Sequence, residues 1–119
     1  MSLAQDLFTR TISTPPGGWG TADVGGTYTT VDAVDRLSVV PGAGRMNVTP
    51  SANASALLRS VSSTRVVYRA SLSSSASYAT AGANQSFSLI ARGVTITSSS
   101  QTAYLARVRI ETGNILRLY

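Results

Sequence analysis

Residues 103–119 read AYLARVRIETGNILRLY, and their alternation decides the fold class. Up to residue 111 every second side chain is apolar, while Arg107, Arg109 and Glu111 fill positions between them. A period of two puts alternate side chains on opposite faces of a β-strand, so one face is predicted to be buried. The side chains expected on the buried face are Tyr104, Ala106, Val108 and Ile110.

The same pattern recurs through the chain, interrupted by glycine, proline and serine, and predicts short strands joined by turns. The predicted strands are 36–40 and 45–49 around a turn at 41–44, then 57–61, 64–72, 86–92, 103–111 and 115–119, the last two forming a hairpin around a turn at 112–114. Residues 57–61 would also suit a helical turn, and no segment predicts a long helix. The predicted fold class is therefore all-β, an antiparallel β-sandwich or jelly roll.

Composition excludes several kinds of chemistry. The 119 residues include neither cysteine nor histidine, which excludes disulfides, thiol nucleophiles and histidine-based catalysis and argues against a zinc site. The net charge of +5 comes from ten arginines that are scattered along the chain without a nucleic-acid-binding motif, so no nucleic-acid partner is predicted. No apolar run approaches the roughly 18 residues that cross a bilayer, and no membrane insertion is predicted.

The two ends of the sequence suggest where the protein works and how long it is. The opening MSLAQDLFTRT has neither the basic nor the apolar part of a secretory signal, which favours a protein that is not exported by that route. The sequence stops at Tyr119 within an alternating segment, which would leave an open sheet edge. We therefore expect residues 1–119 to be a single β-sandwich domain, incomplete here, at the front of a longer domain or protein.

Acidic residues are too few and too scattered to predict an enzyme. Glycosidases need two nearby carboxylates, one to protonate the leaving group and one to attack or to activate water. The only close pair is Asp32 and Asp35, and a solvated turn explains it, with a calcium ligand pair as the alternative. We predict no catalytic residue, no metal site and no cofactor.

A denser motif lies near the start of the chain. It runs Asp6-x-Phe8-x-Arg10 and then Gly18-Trp19-Gly20-x-Ala22-Asp23-x-Gly25-Gly26-x-Tyr28. It resembles the opening of the concanavalin A-like (laminin G-like) jelly-roll domains of actinobacteriophage minor tail proteins and of some actinobacterial secreted enzymes. Gly44-Arg45-Met46, Ala91-Arg92-Gly93 and residues 104–109 resemble later parts of those domains, so the resemblance covers essentially the whole chain.

The resemblance implies a function as well as a fold. It implies a structural protein of the phage virion, a minor tail protein that contributes without catalysis to glycan-directed attachment to the host envelope. Its partners would be other tail proteins, further copies of itself in a trimer, and a host-surface polysaccharide. The alternative is an accessory carbohydrate-binding domain of a bacterial polysaccharide-degrading enzyme, and a third hypothesis is a tail spacer that binds no ligand.

Two groups of residues are candidates for ligand binding. Trp19 and Tyr28 could form an aromatic platform for a sugar ring, although the resemblance favours Trp19 as a packing lid, with Asp23 accepting backbone N–H groups in an Asx-type turn. The second group is a basic stripe on one sheet face, which could bind the carboxylate or phosphate groups of an anionic glycan. The stripe would consist of Arg65, Arg69, Arg107 and Arg109, with Arg117 on the neighbouring strand. Its alternative is a solvated outer face.

Overall fold

The computed structural model describes residues 2–49, 52–74, 85–97, 100–111 and 115–119. Within these ranges the regular structure consists of seven β-strands and one short 3-10 helix, and every strand pairing is antiparallel. The prediction of an all-β chain is confirmed. The described residues include no helix that has both the length and the apolar character needed to span a bilayer. Contacts divide the chain into two compact units, Met1–Ser62 with Thr97–Ser99, and Ser63–Ile96 with Ser100–Tyr119.

A tight hairpin organises the first unit. Strands β2 (Leu37–Val40) and β3 (Ala43–Met46) are joined by Pro41 and Gly42 alone, since Val40 pairs directly with Ala43. Proline fixes a negative φ at the first turn position, and Gly42 supplies the positive φ, 88°, that a type II turn needs at the second. The predicted turn at 41–44 is therefore two residues shorter than expected, because Ala43 and Gly44 belong to β3.

The core of this unit lies under strand β2. Leu37 and Val39 point to one side of the strand and are fully buried, and Ala22 is also buried. Ile12 extends the pairing, because its N–H donates to the Val39 carbonyl at 2.9 Å and its carbonyl accepts from the Val39 N–H at 2.9 Å. Strand alternation thus selects which β2 residues form the core.

The rest of the first unit contains only short elements. Strand β1 (Thr29–Thr30) pairs with β4 (Ala56–Leu57), and a 3-10 helix spans Val34–Arg36. The strand predicted at 57–61 was wrong beyond Leu57, because the chain turns there and the Val61 N–H donates to the Leu58 carbonyl at 3.3 Å. The helical-turn alternative describes this stretch better.

A three-stranded meander forms the second unit. Its strands are β5 (Gln85–Ile96), β6 (Gln101–Glu111) and β7 (Ile115–Leu118), in the order β5-β6-β7. Glu111 pairs with Ile115, so the predicted 102–119 hairpin is confirmed, although its turn at 112–114 lies outside the described residues. The β5–β6 register shifts between Ala91 and Thr95.

Residues 64–72 contradict the predicted strand. The segment has no regular secondary structure, and Val66, Val67, Tyr68 and Leu72 are all exposed, Val67 to 86%. A two-residue period shows only that a segment could present two faces. A strand also needs a neighbour with which to exchange backbone hydrogen bonds, and no pairing is present here among the described residues.

The meander separates its side chains into two faces by chemistry. One face is largely apolar, with Gln85 paired to Ile110 at its end, and its apolar members are Phe87, Leu89 and Ala91 on β5, Tyr104, Ala106, Val108 and Ile110 on β6, and Leu116 and Leu118 on β7. The predicted burial was wrong for Tyr104 and Ala106, which are both exposed, Tyr104 to 71%, and Val108 and Ile110 are only half-buried. Leu116 and Leu118 on the same face are also exposed, to 65% and 79%, so alternation predicted which side chains share this face but not whether the face is covered.

Candidate functional site

The opposite face of the meander carries the charged residues. Arg107 and Arg109 alternate along β6, and Arg109 pairs directly with Arg117 on β7. On the other side of β6, Ser88 and Ser86 pair with Arg107 and Arg109. Directly paired residues point to the same side of a sheet, so the three guanidinium groups share one surface. We call this surface, with Glu111 and Tyr119, the basic face.

Glu111 is the acidic residue at one end of the basic face. Its Oε2 accepts a hydrogen bond from Arg117 Nε at 2.9 Å, and its Oε1 lies 3.7 Å from an Arg109 terminal nitrogen. The Tyr119 hydroxyl donates to the same Oε1 at 3.4 Å. Because one carboxylate faces three guanidinium groups, the basic face keeps a net positive charge.

Arg107 and Arg109 are held in different ways. Arg107 Nε donates to Ser88 Oγ at 3.2 Å. The Arg109 guanidinium carbon lies 5.3 Å from the centroid of the Tyr119 ring, a cation–π arrangement. Arg109 Nε is buried and finds no acceptor among the described residues, which leaves a strong donor unused.

A hollow opens between these side chains. It is lined by Leu105, Arg107, Arg109 and Tyr119 and has a volume of about 220 Å³. Strand pairing brings its members together, because Arg107 and Tyr119 exchange backbone hydrogen bonds at 2.9 and 3.2 Å. The hollow therefore combines two cations with one aromatic and one aliphatic wall.

Only part of the predicted basic stripe is present on this surface. Arg107, Arg109 and Arg117 were expected on one sheet face, and they do lie on neighbouring strands and on one face. Arg65 and Arg69 do not join them through a strand, because they lie in the exposed irregular segment at 64–72. The strand predicted to carry them into the stripe was wrong, and a binding role for Arg65 and Arg69 stays a prediction.

The N-terminal motif forms a second cluster, in the first unit. Asp6 receives two hydrogen bonds from Arg10, at 2.8 and 2.7 Å, and one from the Phe8 N–H at 2.9 Å. Arg10 also donates from Nε to the Trp19 carbonyl at 2.9 Å, and its guanidinium carbon lies 5.5 Å from the Phe8 ring centroid. We call Asp6, Phe8, Arg10, Trp19 and Tyr28 the Trp19 cluster.

The Asp6–Arg10 pair alters the protonation of both groups. Burial acts to raise the pKa of Asp6, but hydrogen bonds from Arg10, Phe8 and Tyr28 outweigh it, so the pKa of Asp6 is lowered. The pKa of Arg10 is raised, chiefly by its hydrogen bond to Asp6. Both groups are therefore ionised at neutral pH, as a structural ion pair.

Trp19 is surrounded by contacts from three directions. Its ring meets Phe8 edge-on at a centroid distance of 5.2 Å and Tyr28 at 5.3 Å. Its Nε1 donates to the Arg45 carbonyl at 3.1 Å. These contacts favour packing over a sugar platform, although a binding role for Trp19 and Tyr28 stays a prediction. Asp23 does accept a backbone N–H, but from distant Leu7 at 2.7 Å and not from the predicted local turn.

Gly44 makes this aromatic packing possible. A Cβ added there would lie 2.7 Å from Phe8 Cε1 and 2.8 Å from Trp19 Cε2, closer than carbon atoms approach in folded proteins. Gly44→Ala is expected to lower the free energy of unfolding by about 2 kcal/mol, because the two rings must move apart. Urea unfolding followed by circular dichroism measures this loss.

Phe8→Leu provides the control for Gly44→Ala. If the alanine methyl group collides with the ring, the double variant Gly44→Ala/Phe8→Leu will lose less stability than the two single losses added together. Strictly additive losses would show that the cost of Gly44→Ala does not come from the Phe8 ring.

Asp32 and Asp35 have different surroundings. Asp35 lies exposed in the 3-10 helix, and Asp32 Oδ2 accepts a hydrogen bond from Ser55 Oγ at 3.2 Å. Across the described ranges, no three histidine, cysteine, aspartate or glutamate side chains gather closely enough to hold an ion.

Sequence reasoning overlooked four contributors to the basic face. Tyr119 and Leu105 line the hollow, and Glu111 anchors Arg117. The sequence could have placed Tyr119 on this face. The predicted turn at 112–114 pairs Glu111 with Ile115, and the same register sets Tyr119 opposite Arg107. Ser88 required the β5–β6 register, which alternation alone does not give.

With the fold and the two clusters established, the chain was compared with known proteins. Neither the protein-family models, nor the curated proteins, nor the solved structures gave a match. The class that the structure itself defines is therefore an antiparallel all-β protein with a basic face on its three-stranded sheet.

Proposed function

We propose that this chain is a non-catalytic attachment module of a phage tail that binds an anionic glycan of the host envelope through its basic face. The observation that carries the proposal is the alignment of Arg107, Arg109 and Arg117 on one surface, opposed by Glu111 alone among the described acidic residues. Guanidinium groups on neighbouring strands can bind successive carboxylates or phosphates of a polymer.

The rest of the proposal rests on the N-terminal motif. Its residues gather in one cluster in the first unit, with Arg10 linking Asp6 to the Trp19 carbonyl. This clustering supports reading the motif as one structural unit, as the resemblance to phage tail jelly-roll domains requires. We propose accordingly a concanavalin A-like sandwich in a homotrimeric minor tail protein that contacts other tail proteins.

The proposed function predicts charge-dependent binding of an acidic polysaccharide. The full chain is expected to bind polygalacturonate and not dextran, and the affinity should fall as NaCl is raised from about 0.05 to 0.5 M, because salt screens exposed charges. Replacing Arg107, Arg109 and Arg117 together with glutamine should weaken binding by at least about tenfold. Biolayer interferometry with immobilised polysaccharide measures both effects.

A matched variant separates the basic face from net charge. Replacing Arg45, Arg65 and Arg69 with glutamine removes the same charge from exposed positions outside the meander, and should weaken binding by less than about threefold. Equal losses in the two triple variants would contradict the basic face as the site. Antibodies against the chain should also label tails of phage particles from the source organism, and label confined to a secreted enzyme would contradict the tail assignment.

A further inference from the structure

The hollow on the basic face has a more specific chemistry than a general anion site. Two of its four lining residues, Arg107 and Arg109, are cations, while Leu105 and the Tyr119 ring supply apolar surface. An isolated inorganic anion would use only the cations. A ligand that uses all four residues carries an anionic group on a body with an apolar face.

Arg107 and Arg109 are prepared to bind a carboxylate. The Arg107 side chain is held by the hydrogen bond from its Nε to Ser88 Oγ. This contact does not involve the two terminal nitrogens, which can bind a carboxylate end-on. Arg109 is fixed over the Tyr119 ring and keeps its buried Nε without an acceptor among the described residues. A carboxylate in the hollow would therefore meet the terminal nitrogens of the two guanidinium groups.

Arg117 differs from these two although it lies on the same face. It does not line the hollow, and its Nε is bound to the Glu111 carboxylate at 2.9 Å. The Glu111 carboxylate therefore pairs more closely with Arg117 than with Arg109, from which it lies 3.7 Å away. The charge that a ligand in the hollow meets comes from Arg107 and Arg109.

From these contacts we infer that the hollow binds one uronic acid residue of the glycan, with its carboxylate on Arg107 and Arg109 and its ring against Tyr119 and Leu105. The volume of about 220 Å³ has space for a single sugar ring. Sugar rings present C–H groups on one face, which pack well on an aromatic side chain. This inference rests on the proposed function and names the chemical group that the basic face recognises.

The inference is tested by titrating the full chain with glucuronic acid, glucose and inorganic phosphate, followed by NMR chemical shifts. Glucuronic acid is expected to shift the amides of Leu105, Arg107, Arg109 and Tyr119 at millimolar concentration, and glucose is not. Phosphate is expected to bind about tenfold more weakly, because it cannot use the apolar walls. Equal affinity for phosphate would overturn the assignment to a sugar acid.

Single variants distinguish the hollow from the basic face as a whole. Arg109→Gln should weaken glucuronic acid binding by about tenfold, whereas Arg117→Gln, with the same charge change, should weaken it by less than about threefold. Arg109→Lys keeps the charge but removes the planar guanidinium, and should still weaken binding by about fivefold. Glu111→Gln should strengthen binding by about twofold to fivefold, since a nearby negative charge is removed.

The outcomes separate this inference from the proposed function. Equal losses in Arg109→Gln and Arg117→Gln, or an unaffected Arg109→Lys, would overturn the hollow while leaving charge-dependent polysaccharide binding intact. Absence of polygalacturonate binding by the unmodified chain would overturn the proposed function as well. Circular dichroism of each variant shows whether the sheet is kept, and Tyr119→Leu tests the aromatic wall without changing the charge, with about a threefold or greater loss expected.

Discussion

Replacing Trp19 with alanine is expected to lower the free energy of unfolding of the first unit by about 3 kcal/mol. The substitution removes two edge-on aromatic contacts, to Phe8 at 5.2 Å and to Tyr28 at 5.3 Å. It also removes the Nε1 donor of the Arg45 carbonyl. Because Trp19 is only partly buried, the loss should fall at the lower end of the range for tryptophan truncation.

The measurement is urea unfolding followed by far-ultraviolet circular dichroism, since the variant lacks the only tryptophan. Tyr104→Ala is the matched control, because it also truncates an aromatic side chain but one that is 71% exposed. Its loss should stay below about 1 kcal/mol. A Trp19→Ala loss no larger than that of the control would show that the aromatic cluster does not stabilise the unit.

A second substitution, Trp19→Phe, distinguishes a packing role from a binding role for Trp19. Under the packing interpretation, Trp19→Phe keeps part of the aromatic contact and leaves polygalacturonate affinity unchanged, because the proposed site is on the meander. A selective loss of affinity in Trp19→Phe, with stability preserved, would restore the aromatic platform as the binding site.

Strand alternation predicted the second unit well where the chain also supplied a partner strand. Residues 103–119 have both a period of two and a short turn, so the hairpin and the shared face of Arg109 and Arg117 followed from the sequence. Residues 64–72 have the same period and form no strand. The difference arises because pairing depends on residues distant in sequence, whose register a local pattern does not contain.

The Trp19 cluster could be predicted as a set of residues but not as an arrangement. The motif identified Asp6, Phe8, Arg10, Trp19 and Tyr28, yet nothing local indicated that Arg10 would bridge Asp6 and the Trp19 carbonyl. The sequence predicts Gly44 in the turn at 41–44, whereas it lies on β3, where its lack of a side chain admits two rings. Such close approaches depend on three-dimensional packing, which alternation and spacing do not specify.

The Asp6–Arg10 pair leads to the second large prediction, which concerns Asp6→Asn. The Asp6 side chain is 4% exposed and accepts two hydrogen bonds from Arg10 as well as one from the Phe8 N–H. Asparagine keeps the shape but removes the charge, and leaves the Arg10 guanidinium, which is 24% exposed, without its ion partner. Loss of one member of such a pair is expected to cost about 2 to 3 kcal/mol of unfolding free energy at pH 7.

The effect of Asp6→Asn should depend on pH in a defined direction. The folded state lowers the pKa of Asp6, so it favours the ionised carboxylate over the protonated one. The resulting stabilisation is fully present above the unfolded pKa of about 4, and is lost as the pH falls through the lower folded value. The stability difference between the unmodified chain and Asp6→Asn should therefore be constant from about pH 5 to 7 and should narrow below about pH 4.

Trp19 fluorescence provides the measurement, because the only tryptophan of the chain lies beside Arg10 in the same cluster. Urea titrations at pH 3, 5 and 7 compare the unmodified chain with Asp6→Asn and with the control Asp35→Asn, which removes an exposed carboxylate. The control should change the unfolding free energy by less than about 0.5 kcal/mol at pH 7. The stability difference between the unmodified chain and Asp6→Asn could instead stay unchanged down to pH 3. That result would mean that the substitution destabilises the chain through shape or packing, and that the ionised carboxylate does not hold Arg10 in the folded state.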